Sequence, residues 1–131
     1  MDQDVEILAK TIYGEARGEG LSGMEAVANV VMNRLRKKCW WGRTISEVCL
    51  KPKQFSCWNT GDPNAILLTR DLTADSLFQV CCRIAKRAMK GLLPDITKGS
   101  THYHALSVNP AWANKLVPNI QIGRHLFYTC D

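Results

Sequence analysis

No stretch of this 131-residue chain approaches the ~20 consecutive apolar residues that a membrane span requires. The apolar-rich runs near 26–32 and 65–68 are far too short, so stable membrane insertion is not expected. The opening Met-Asp-Gln-Asp-Val-Glu lacks both the cationic and the apolar region of a secretory leader. The expectation is a protein made in the cytoplasm without a visible signal peptide. Glycine (9) and proline (5) are too sparse for a collagen-like or low-complexity chain. The six cysteines include no C-x-x-C pair, which removes the commonest zinc and thioredoxin signatures.

Acidic residues are also outnumbered, 12 against 17 Lys and Arg, for a formal charge of +5. That balance predicts attraction to polyanions: nucleic acid, anionic lipid or an anionic cell wall. A nucleic-acid reader would need its bases concentrated on one element. Here they are scattered, with Arg34–Lys38 the densest group, so nucleic acid is not the expected partner.

What is present is an ordinary globular composition, 46% hydrophobic and 22% charged, of a length that suits one domain spanning 1–131. Val5, Leu8, Ala9, Ile12 and Ala16 form a helical stripe over 4–17, ended by Gly18 and Gly20. Ser22-Gly-Met-Glu25 has the form of a capping box before a second helix carrying Met24, Val27, Ala28, Val31 and Leu35. Thr44-Ile-Ser-Glu47 repeats it before a short helix to Leu50. Residues 51–64 have no period and predict an irregular loop, and 71–90 show the strongest helical pattern. Thr101-His-Tyr-His104 looks extended, Asn109–Trp112 opens a turn or short helix, and 120–128, broken by Gly123, suggest two short strands. The fold class expected is α+β: mainly helical, with a small β element near the C-terminus. Cys81 and Cys82 sit on the strong helix and predict buried thiols. Cys39, Cys49 and Cys57 fall in loop-rich sequence, and their pairing, like that of Cys130, stays open.

The unusual segment is Tyr13-Gly-Glu-Ala-Arg-Gly-Glu19. A carboxylate in the last turn of a helix opposes the macrodipole, and flanking glycines let a ligand approach. Both features suit Glu15 to proton donation, although a surface pair with Arg17 would also account for it. Glu19 would share a face with Glu15 if the helix continued; Gly18 argues against continuation, leaving Glu19 to hold Arg17 or a loop amide.

This segment, followed by Ala26-Val-Ala-Asn-Val-Val-Met-Asn-Arg34, closely resembles the cell wall hydrolase family of spore-cortex-lytic enzymes. Gln54-Phe-Ser-Cys-Trp58, Thr101-His-Tyr-His104 and Ile122-Gly-Arg-His-Leu-Phe127 resemble the family's later motifs, in the same order. The resemblance implies a lysozyme-like catalytic domain that cleaves peptidoglycan glycan strands, commonly as a lytic transglycosylase. A bare domain of this kind also resembles phage endolysins, which reach the wall after holin-type release; the expected partner is bacterial peptidoglycan and the expected state a monomer. Carried over by position, Glu15 is the implied general acid and Tyr103 its helper. Arg17, Glu19, Gln54, Phe55, Trp58, His102 and His104 are the implied substrate contacts, Phe55 and Trp58 by stacking on sugars. No cofactor is implied, and no metal, since the two histidines have no acidic or cysteine partner nearby. The readings that remain are a water-using muramidase and, behind it, a basic nucleic-acid-binding or an inactive wall-binding module.

Overall fold

Asp2 caps the first helix, its side chain accepting from the amides of Asp4 (2.8 Å) and Val5 (3.3 Å). The helix, α1 (Gln3–Ala16), buries Ile7, Leu8, Ala9, Thr11, Ile12 and Tyr13, which is most of its circumference. A helix apolar on nearly every side belongs at the centre of a domain. In the computed structural model, which describes residues 1–38 and 40–130, α1 is accordingly surrounded by α2 (Gly20–Lys37), α3 (Ile45–Leu50) and α5 (Ser76–Met89).

Three boundaries depart from the sequence expectation. The second helix starts at Gly20 rather than after Ser22, because Gly20 turns the chain with φ +78° and Glu19 becomes the N-cap residue. Gly23 then lies inside the helix, where a Cβ would come within 2.4 Å of the Glu19 Cβ. At the strong helix, Asp71 closes a local turn with Thr73, and the cap is Asp75, bonded to the amides of Leu77 and Phe78. Asp75 is fixed there by the Tyr13 hydroxyl (2.8 Å), an anchor absent at Asp71. Within the expected loop 51–64, residues Ser56–Trp58 form a 3₁₀ turn, and α4 (Pro63–Leu67) begins on an Asp62 cap with Pro63 in its first turn. Both are too short to show a period. The third helix keeps its Thr44 cap, while Glu47 reaches back to the amide of Arg43.

Three antiparallel strands follow: β1 (His102–Ala105), β2 (Ile120–Ile122) and β3 (His125–Tyr128), in spatial order β1-β3-β2. The hairpin breaks at Gly123, and Tyr103 pairs with Phe127. The Asn109–Trp112 region contains a 3₁₀ turn at 111–113.

How this sheet reaches the helices depends on α2. One of its faces, with Met24, Val27, Ala28 and Val31, joins the helical core; another, with Ala26 and Val30, packs on Phe127, Ile120 and Ile122 of the sheet. Between them runs a buried polar row. Asn29 pairs with the Pro94 carbonyl and the Ile96 amide, Asn33 donates to the Ser100 carbonyl (2.9 Å), and Arg34 Nε donates to the Thr101 carbonyl (2.7 Å). These bonds tie the strap 94–101 to α2 and deliver β1 to a fixed position.

Cys49, Cys57, Cys81 and Cys82 are all free and buried, Cys49 within α3 rather than in a loop; Cys39 lies outside the described residues. Burial pushes the Cys49 thiol up to about 12, which leaves it unreactive. Among the described residues no helix is long and apolar enough to cross a membrane.

Candidate active site

Gly14 decides the geometry around Glu15. With no Cβ, the last turn of α1 lies directly against the 3₁₀ turn 56–58, and the Cys57 amide reaches Glu15 Oε2 at 3.0 Å. The Ser56 hydroxyl approaches the same oxygen at 3.4 Å. The other oxygen, Oε1, accepts from the Tyr103 hydroxyl. Both ends of one carboxylate are thus fixed, by groups 42 and 88 residues away in sequence.

Tyr103 is set by its own neighbours, tilted on Phe127 (5.4 Å between centroids) and edge-on to His125 (5.3 Å). Burial first, then the adjacent Glu15 charge, holds its hydroxyl well above the usual tyrosine range. It therefore stays protonated at any working pH. A phenol can donate to a carboxylate and accept from a carboxylic acid, so it can follow Glu15 through both states. An amide can only donate.

Two clefts meet at this carboxylate. One, of about 440 Å³, is lined by Glu19, Leu106, Ser107 and Arg124. The other, of about 390 Å³, is lined by Arg34, Lys53, Gln54, Ser56 and Asn64. Glu15, Ala105 and His125 belong to both, so Glu15 lies midway along an open groove. Such a groove suits a chain that passes through rather than a small molecule that is enclosed.

Glu19, in the first cleft, is only 9% exposed and engages the Arg124 guanidinium and amide and the His125 imidazole (3.4 Å). The Arg124 hydrogen bond holds its carboxyl below the usual range, so Glu19 is a committed anion. The expected loop amide is found in Arg124. The expected Arg17 pairing is not: Arg17 Nη1 donates to the Tyr13 carbonyl (3.2 Å), with the guanidinium over the Tyr13 ring. Arg17 does not line the groove.

Of the remaining expected contacts, Gln54 lines the second cleft. Phe55 does not stack on anything in the groove. It is 1% exposed, packed in the core beneath the Arg34 guanidinium. Trp58 is tied by its indole N–H to Thr11 Oγ1 (2.9 Å) and lines a separate cleft with Leu50 and Lys51. His102 and His104, alternating with Tyr103 along β1, face away from Glu15. His102 sits between Trp41 and Trp112, and His104 stacks on Tyr128 and bonds its hydroxyl (2.9 Å).

Sequence reasoning gave no role to Arg34, Ser56, Asn64, Arg124 or His125. Arg34 left a signal, being a charge in phase with the apolar positions Val27 and Val31. His125 left none, because its place depends on the hairpin register.

The cell wall hydrolase family pattern matches residues 18–128. Tyr103, Glu19 and His125 fall inside that match, and Glu15 precedes it by three residues. The spore cortex-lytic enzyme of Halalkalibacterium halodurans is 32% identical over 127 residues, 96% of this chain. The chain spans 34% of that protein's length. The catalytic domain of the germination-specific lytic transglycosylase SleB from Bacillus anthracis superposes with a TM-score of 0.76 at 27% identity, covering 98% of this chain and 97% of that one. The catalytic domain of the Bacillus cereus SleB protein gives 0.71 at 24%, covering 96% and 89%. The fold is α+β and lysozyme-like, as the family resemblance implied.

Proposed function

The chain belongs to the cell wall hydrolase family, and on that premise we propose that it cleaves peptidoglycan glycan strands between N-acetylmuramic acid and N-acetylglucosamine as a lytic transglycosylase. The observation that carries this reading is the Glu15 carboxylate, held at both oxygens by neutral donors midway along an open groove. The only other carboxylate lining that groove among the described residues, Glu19, is occupied by Arg124 and His125.

A single acid suffices for this chemistry. Protonated Glu15 gives its proton to the glycosidic oxygen, the bond from muramyl C1 to that oxygen breaks, and the N-acetylglucosamine hydroxyl leaves. The Glu15 carboxylate then takes the proton of the muramyl C6 hydroxyl as that oxygen bonds to C1, closing a 1,6-anhydro ring and restoring the acid. Tyr103 holds Glu15 in place through both steps. Gln54, Asn64 and Ser56 offer hydrogen bonds to acetamido and hydroxyl groups of the strand. The protein acts at the wall, and no cofactor takes part.

Digestion of purified peptidoglycan followed by mass spectrometry of the fragments is the test. Anhydromuramyl ends are expected. Reducing muramyl ends would make the enzyme a water-using muramidase, and free stem peptides without glycan cleavage would end the reading.

A further inference from the structure

A surface hollow of about 510 Å³ shares no residue with the Glu15 groove. It lies between Trp40-Trp41-Gly42 and the segment from α3 to Pro52. Trp40 is 58% exposed and Leu50 44%, and both line this hollow. Trp40 does not hang loose. Its ring rests on Trp41 at 5.5 Å, and Trp41, only 2% exposed, is fixed in turn by Arg34 and His102. Gly42 seats the turn so closely on α3 that a Cβ there would come within 2.7 Å of the Glu47 Cβ. Lys51 Nζ stands 5.4 Å from the Trp40 ring centroid. The result is an indole platform backed by Trp41, with the Lys51 ammonium over its ring.

The platform connects with the groove. Leu50, Lys51 and Pro52 also wall a neighbouring cleft that extends to Lys53, and Lys53 lines the Glu15 groove. A continuous basic edge, Lys51 to Lys53, therefore runs from one to the other.

We infer that Trp40 and Lys51 form a second binding site for the peptidoglycan glycan strand, remote from the bond that is cut. This inference rests on the proposed substrate. Pyranose rings present flat C–H faces that pack on an indole, and stem-peptide carboxylates complement the lysine edge. A polymer held at two points gains avidity that a short fragment cannot. The site therefore serves retention on the wall and leaves the chemistry untouched.

The test is co-sedimentation of the full chain with purified sacculi, in a Glu15→Gln background so that the wall survives. Trp40→Ala should weaken binding by about five- to tenfold and Trp40→Phe by less than about twofold, at unchanged melting temperature. Lys51→Ala should weaken it by about two- to threefold on intact sacculi, and by less on strands stripped of stem peptides. With Glu15 intact, Trp40→Ala should cut a short soluble muropeptide oligomer at the parent rate. Unchanged sacculus binding in Trp40→Ala overturns the inference, as does an effect confined to self-association in sedimentation velocity. Failure of the parent to release glycan fragments would instead overturn the proposed function and leave the binding result standing.

Discussion

Gly14 and Cys57 occupy one space: a Cβ on Gly14 would lie 2.6 Å from the Cys57 Cβ and 2.8 Å from its sulfur. Cys57 is fully buried and cannot swing aside. Gly14→Ala should therefore push the 3₁₀ turn outward and cost about 1–3 kcal/mol, as overpacking does. It should also detach the Cys57 amide from Glu15, lowering wall clearance more than stability alone explains. Adding Cys57→Gly should recover part of the activity. A double-mutant cycle with no coupling would show that the two residues do not compete.

Glu15→Gln keeps the shape of the side chain and removes its proton. Turbidity clearance of permeabilised cells should fall by about 10²–10⁴-fold at unchanged melting temperature. Near-parent activity would place the acid at another residue.

Tyr103→Phe leaves the ring packing on Phe127 and His125 and takes away the hydroxyl that fixes Glu15 Oε1. The expected result is a kcat reduced by about tenfold or more, with KM for soluble muropeptides little changed. A rise in KM alone would make Tyr103 a substrate contact.

Glu19 is held below its usual value chiefly by the Arg124 side chain. Such a group contributes stability that is fully present above its unfolded value, near 4.5, and is lost as pH falls through the lower folded value. Arg124→Gln should accordingly lower the melting temperature at neutral pH, and the gap from the parent should close in acid below about pH 4. Because the Arg124 side chain is 75% exposed, added salt should narrow the gap as well. A constant gap from pH 7 to pH 3 would rule out the ion pair as its source.

His102 offers a second pH test with a different window. Burial, with Arg34 and Lys37 adding to it, pushes its imidazole down to about 4 from 6.5. The folded protein therefore resists a proton that the unfolded chain accepts, so stability falls as pH drops from 6.5 toward 4. In NMR, the His102 ring signals should stay at their neutral positions until below pH 5. His102→Gln should flatten the melting curve's dependence on pH in that interval.

Periodicity made the cores of α1, α2 and α5 legible, since Leu8, Val27 and Ile84 repeat at helical spacing whatever surrounds them. It could not choose between Asp71 and Asp75 as a cap, because the choice depends on Tyr13, 62 residues from Asp75. Glu15 and Tyr103 were readable through the resemblance, and their contact is found. Phe55 was misplaced for a physical reason: an aromatic in an aperiodic segment has equal grounds to pack inward or to meet a ligand. The Arg34 guanidinium above it, buried by the polar row of α2, is what turns it inward.

That polar row has a further consequence for when the protein can act. Tyr103 touches both the helical cluster and the sheet cluster, and its bond to Glu15 spans 88 residues. A chain whose helices have assembled but whose strap 94–101 has not yet seated on Asn29, Asn33 and Arg34 holds Glu15 with no tyrosine opposite it. A contact of such long sequence separation carries the loop-closure entropy of the chain between its partners. On the proposed reading, newly made or partly opened molecules lack the hydroxyl that fixes Glu15 and should cut glycan more slowly. Full activity should therefore await docking of the sheet, and amide exchange at 100–104 should report the opening that separates Tyr103 from Glu15.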